Sequence, residues 1–189
     1  EIVDFAGGAK ALQAVVGGSA DVVSGAFEHT INLQAKGQAY QEFVLQGRAP
    51  QVVLAVSNKT MPNFKSVADL KGKKIGVTAP GSSTNIMANF VLAKAGLKPS
   101  DVSFIGVGAA NGAVSALRSG QIDAIVNLDP VISILTRNNE VRVVSDTRTL
   151  KDTQALFGGH MPSGCLYASR AFIAANPNTT QALTNALAR

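Results

Sequence analysis

The sequence predicts an α/β protein of two similar lobes, each a mostly parallel sheet flanked by helices, with the chain crossing between them twice. The first observation behind that expectation is an internal repeat. Residues near the N-terminus recur at an offset of 102, so that Val3 lies over Ile105, Phe5 over Val107, Ala14 over Ala116, Gly18 over Gly120 and Asp21 over Asp123. The second is what each copy spells: a short apolar strand, a Gly/Ala-rich loop, an Ala-rich helix closed by Gly, then Asp leading a second strand. That is a βαβ unit, whose crossover is right-handed in nearly all cases and which needs a parallel sheet covered by helices. The third is a pair of Pro-containing polar stretches, at Ser57–Phe64 and Gly158–Gly164, of the kind that make turns and hinges.

In chain order, the first unit opens with the strand IVDF and continues through its helix to the strand after Asp21, a helix HTINLQAKG and a β-rich QEFVLQ. A first crossing at 57–64 leads to the strand KKIGVT, Lys73–Thr78, and the helix STNIMANFVLAKAGL. The second copy follows, with VISILTRN and VRVVSD matching the helix and strand after the first. The second crossing then leads back to the amphipathic C-terminal stretch PNTTQALTNALAR. The expected lobes are therefore 1–56 together with 161–189, and 57–160, enclosing a cleft that can hinge shut. The second copy is preceded by a strand and helix that the first copy lacks, and the final helix carries no Gly or Asn cap. Both features lead to the expectation of a trimmed piece of a longer chain.

Composition narrows the function classes. The 189 residues are 46% hydrophobic and 15% charged, which is the balance of a folded domain rather than a disordered one. No apolar run approaches the roughly 18–20 residues a membrane helix needs. With 5% aromatics and no Trp, the chain lacks the platform for stacking nucleic-acid bases. Its net charge of +5 reads as a solvated face around Lys65, Lys71, Lys73, Lys74, Lys94 and Lys98. No nucleic-acid partner is expected. A single Cys165 and two His exclude an internal disulfide and a zinc cluster, so neither metal nor cofactor is expected.

Several places suit ligand chemistry. PGSSTN, Pro80–Asn85, follows the strand KIGVT and opens a helix, so free N–H groups and the hydroxyls of Ser82, Ser83 and Thr84 suit an anion, although N-capping needs one such hydroxyl. GVGAANG, Gly106–Gly112, misses the dinucleotide spacing and reads as a strand-to-helix turn, like its counterpart FAGGA. Asp129 before Pro130 is accounted for as a helix cap, yet sits at a strand's carboxyl end, matched in the first repeat by Phe27 and Glu28. His29 beside Gly25 and Ala26, and His160 at the second crossing, are donor candidates with a plain structural reading beside it. No nucleophile motif and no carboxylate pair is present, so the expectation is binding without turnover and not an enzyme.

The runs ALQAVVGGSADVVSGA, LQAKG, KSVADLKGKKIGVTAPGSST, LAKAGLKPSDV and ALRSGQIDAIVNLDP closely resemble solute-binding proteins of bacterial ABC importers, in the nitrate, sulfonate and taurine group that also includes thiamine-pyrimidine binders. The resemblance implies a two-lobed type II periplasmic-binding-protein fold. It implies a monomer, periplasmic or lipid-anchored, that closes on one small-molecule ligand and hands it to an ABC permease in the inner membrane. The ligand loops it implies are Gly25, Ala26 and Phe27; Ser82, Ser83 and Thr84; the stretch from Asn127 to Asp129; and a residue near the second crossing such as His160. A small anion is the leading ligand, whether sulfonate, nitrate or carboxylate. A thiamine-precursor-like pyrimidine, an enzyme or a regulator's sensing domain on the same fold are the alternatives.

Overall fold

A computed structural model describes residues 1–5 and 7–188. Ala6, in the first glycine loop, and Arg189 lie outside the described residues. The larger of two sheets contains β3 (Val53–Ser57), β4 (Lys74–Val77), β5 (Ser103–Gly106), β6 (Ala124–Asn127) and β7 (Val141–Asp146), in the order β5-β4-β6-β3-β7. β4 pairs in parallel with β5 and β6, while β3 runs antiparallel between β6 and β7. Side chains alternate across its central strand. Leu54 and Val56 pack with Met87, Val91 and Leu92 of α3 (Ser83–Lys94), while Val53 and Ala55 face α4 (Asn111–Ser119) and α5 (Val131–Arg137) through Leu117, Ile132 and Leu135. α6 (Leu150–Phe157) completes the first face by setting Phe157 against Phe90, with ring centroids 4.6 Å apart.

The smaller sheet is β1 (Val22–Ala26), β8 (Gly164–Ser169) and β2 (Tyr40–Leu45), with β8 in the middle. α1 (Gly8–Val16) and α2 (Glu28–Ala35) contribute Val15 and Leu33 to a small core with Val23, Cys165 and Tyr167. α7 (Arg170–Ala175) and α8 (Pro177–Leu187) follow β8. The repeat survives in backbone detail, since Gly18 and Gly120 adopt φ of 76° and 79°. Both close their helices in the left-handed region that a Cβ disfavours.

Three expectations are corrected. Ile2–Phe5 forms no strand, and Ile2 is 94% exposed. Its counterpart β5 holds its place by pairing with β4, and no counterpart of β4 borders β1 among the described residues. The smaller sheet is not mostly parallel: β1 and β2 run the same way, but β8 lies between them and is antiparallel to both. Finally, the boundary drawn at 56/57 falls inside β3, which pairs with β6 and β7. All five β3 residues are buried, and a strand buried on both faces needs a sheet covered on both faces, which the larger one supplies.

The first passage between sheets is therefore Gln46–Val52, ahead of Ser57–Phe64. It is tied to the return passage by Thr147. The Thr147 amide donates to the Val52 carbonyl (3.1 Å), the Gln51 amide donates to the Thr147 carbonyl (3.0 Å), and the buried Thr147 hydroxyl donates to the Val52 carbonyl (2.8 Å) while accepting from its amide (3.1 Å).

Candidate functional site

The chain leaves β4 through Thr78 and turns at Gly81, φ 78°, into α3. Among the described residues the first-turn amides of Ser83, Thr84 and Asn85 have no carbonyl partner, as at any helix start. The three hydroxyls read together from the sequence separate here. Ser82 and Thr84 are buried and form a ring with Thr78, each pair of oxygens 2.8–2.9 Å apart. The Thr78 amide donates to Thr84 Oγ1 at 2.9 Å, so these side chains shape the turn from within. Ser83, half-buried, makes no side-chain hydrogen bond among the described residues. The Gly81 amide donates to Asn85 Oδ1 at 2.9 Å, and Asn85 Nδ2 is buried with no partner among the described residues.

The other group of candidate loops belongs to the smaller sheet. Gly25 is where β1 passes Tyr167: a Cβ there would stand 3.2 Å from the Tyr167 hydroxyl and 2.8 Å from Val23 Cγ1. Ala26 pairs with Gly164. The Phe27 amide donates to the Ser163 carbonyl (3.0 Å), and its own carbonyl accepts from Thr30. His29 is 1% exposed. Its Nδ1 lies 3.5 Å from the Tyr167 hydroxyl, and its Nε2 has no partner among the described residues. Around the ring, a Cβ on Gly8 would sit 3.1 Å from Cε1, and one on Gly7 would sit 3.9 Å from Ala79 Cβ. The starts of α1 and α3 and His29 therefore meet at one place, where the two sheets' loops approach.

Burial pushes the His29 pKa down, the Gly81 backbone partly opposing it, and burial pushes that of Glu28 up. Cys165 is pushed up to about 12 by burial and the nearby carboxylates of Glu42 and Glu28, which leaves it a protonated thiol and no nucleophile. The His29 shift has a sign that can be tested. Below its ordinary value of 6.5 an unfolded chain protonates this His while the folded one resists, so the unfolded state binds more protons and stability falls as pH drops, by up to about 1.4 kcal/mol per pH unit. Glu28, raised from 4.5, works the other way: the folded state holds its proton just above that pH and stability falls as pH rises. Urea unfolding at pH 7 and 5.5 is expected to show a steeper acid-side loss in the wild type than in His29→Gln. Equal losses would contradict it.

The remaining candidates are placed as follows. Asn127 is buried and spends its amide on the Gly108 carbonyl (2.9 Å) and on the Leu128 amide (2.9 Å), fixing the two loops at the ends of β5 and β6. Asp129 accepts from the Ser133 amide and hydroxyl, which hold its carboxyl below the usual range with help from Arg148. Arg148 in turn grips Asp146, with Nη2 at 2.6 Å. His160 is exposed and lines a cavity of about 250 Å³ with Leu45, Arg48, Leu150 and Pro162. Leu45 and Pro162 also border a second cavity of about 270 Å³, which reaches Phe27 and Cys165. No residue of the α3 turn lines either one, so His160 stands apart from Ser82–Thr84.

Sequence reasoning missed Thr78 and Tyr167, and read Gly8 only as part of the FAGGA strand-to-helix turn. Only Tyr167 carried a signal: a Tyr inside the apolar run GCLYAS must find a partner for its hydroxyl once buried. Among the described residues no His/Cys/Asp/Glu group could hold a metal ion, and no helix is long and apolar enough to cross a membrane.

Residues 1–189 match the NMT1-like family. A putative aliphatic sulfonates-binding protein of Escherichia coli K12 is 32% identical over 160 residues, covering 82% of this chain and 48% of its own length. A solved structure from Bordetella bronchiseptica RB50 is 70% identical and superposes with a TM-score of 0.97, over 99% of this chain and 59% of that one. The alkanesulfonate-binding protein SsuA from Xanthomonas axonopodis pv. citri, bound to MOPS, is 28% identical with a TM-score of 0.72, over 98% of this chain and 60% of that one. The chain thus spans about half to three fifths of these relatives' lengths, and its fold is that of periplasmic binding proteins. Matched from its first residue to its last, the chain belongs to the NMT1-like family.

Proposed function

We propose that this chain is part of the substrate-binding component of an ABC importer, which captures a small anionic solute in the cleft between the lobes and passes it unchanged to a permease in the inner membrane. The observation that carries this reading is the meeting of two helix starts beside the buried ring of His29, whose Nε2 has no partner among the described residues. Helix starts offer amide donors and the positive end of the helix dipole to an anion. Relatives named for sulfonate binding favour the anion over the pyrimidine, enzyme and sensor alternatives, and a periplasmic setting goes with them. The lobes are taken as the smaller sheet with its helices and the larger sheet with its own, and the protein as a monomer.

The test is thermal unfolding of the full-length protein with ethanesulfonate, nitrate, acetate and a hydroxymethylpyrimidine. A ligand that binds only the folded state adds about 2.7 kcal/mol at a hundredfold excess over Kd. Stabilisation by an oxyanion, recovered chemically intact after incubation, is the expected result. Stabilisation by the pyrimidine alone, or conversion of the ligand, would overturn it.

A further inference from the structure

Tyr167 is fully buried, and its hydroxyl has one partner among the described residues, His29 Nδ1. The phenol proton has an acceptor only if Nδ1 is bare. In a neutral imidazole one nitrogen donates and the other accepts, so a bare Nδ1 puts the proton on Nε2. Burial keeps the ring neutral. Nε2–H is then a buried donor with no hydrogen-bond partner among the described residues, on a ring that lies against the start of α1 and near the Gly81 backbone of the turn before α3. Buried donors without partners are costly and uncommon in folded proteins. At the helix starts that meet beside the ring, the amides of Gly8 and Ala9, and those of Ser83, Thr84 and Asn85, have no carbonyl partner among the described residues. Gly8 leaves the approach to the ring open, because a side chain there would stand against Cε1.

We infer that Tyr167 and His29 form a relay that presents a tautomer-fixed Nε2–H to the cleft, where it takes one oxygen of an acceptor-only head group. This rests on the anion-binding reading above and deepens it. His29 is the binding residue, and Tyr167 is a positioning residue that acts through it. The head group must accept at every oxygen, as a sulfonate or carboxylate does. An ammonium or amide N–H would leave the relay facing another donor.

The experiment uses the full-length protein with ¹⁵N-labelled histidine, and the tightest binder among ethanesulfonate, nitrate and acetate as probe. Long-range ¹H–¹⁵N correlation at pH 7 is expected to show His29 with Nε2 protonated and Nδ1 bare, the Nε2–H signal moving on addition of the probe. Tyr167→Phe keeps the ring and removes the proton that fixes the tautomer, so mixed tautomers are expected there. In titration calorimetry His29→Phe is expected to bind the probe roughly ten- to a hundredfold more weakly, the range for a lost hydrogen bond to a charged acceptor. His29→Gln, which keeps an N–H donor, is expected to lose less. An Nδ1–H tautomer in the wild type, or equal affinity in wild type and His29→Phe, would overturn the relay and leave anion binding standing. Failure of all three probes to bind the wild type would overturn the anion-binding reading itself and the relay with it. The tautomer measurement needs no variant, so a His29→Phe protein that does not fold still leaves the relay open to refutation.

Discussion

Tyr167→Ala is expected to destabilise the three-stranded sheet by about 3–5 kcal/mol, the usual cost of removing a buried aromatic side chain to Cβ. The effect is expected to be local. Tyr167 is fully buried, meets Tyr40 edge-on at 6.5 Å, and is the largest of the five buried side chains of this core among the described residues, with half-buried hydrophobics at its edge, so it is central to holding β1, β8 and β2 around α1 and α2. The larger sheet has two clusters of its own, one on each face, and neither includes Tyr167. Stability is distributed in cooperative units, and hydrogen exchange resolves them. Amides of β1, β2 and β8 are expected to exchange faster in the variant while those of β4 and β6 keep their protection. A uniform loss of protection across both sheets would show that the lobes unfold as one unit and would refute the local account.

Thr84→Val is the second large change. Valine matches the shape of threonine but removes the oxygen that closes the ring with Thr78 and Ser82 and accepts from the Thr78 amide. Thr84 is fully buried, so the Thr78 amide loses its partner where water cannot easily replace it, and the Thr78 and Ser82 hydroxyls keep each other but lose their shared third member. The expected cost is about 2–3 kcal/mol, with a melting temperature lowered by about 5–10 °C for a chain of this size. Thr84→Ser, which keeps the oxygen, is expected to fall well short of that. Ser83→Ala is expected to leave the melting temperature unchanged, since Ser83 takes no part in the ring. Were Thr84→Val as stable as the wild type, the ring would have no structural role and Thr84 would return to the group of direct ligand donors.

The repeat was legible because it is written in residues whose backbone or size is restrictive: glycines that reach positive φ at the same place in both copies, and alanines that let a helix lie close on a sheet. Which sheet a strand joins was not legible. VLAVS says that β3 is buried on both faces, but not that its neighbours are β6 and β7, some 70 to 90 residues further on by. The same holds for β8, whose antiparallel place between β1 and β2 is a long-range pairing that no local pattern encodes. At the site, the run of hydroxyls told which donors were present. It did not tell that two of them would satisfy each other and Thr78, leaving Ser83 as the exception. His29 was legible as a candidate, but its meaning depends on Tyr167, 138 residues away.

The bond pattern joining Val52 and Thr147 bears on how the two halves of the molecule move. Two independent linkers would let the halves slide, twist and splay. Bonded to each other through amides, carbonyls and one hydroxyl, the passages act as a strap that is stiff in tension and shear and compliant mainly in flexure. Motion about such a strap is expected to have essentially one angular degree of freedom, like a door on its pivot; under the proposed function, a solute in the gap would need to do mechanical work along that single coordinate to swing it shut.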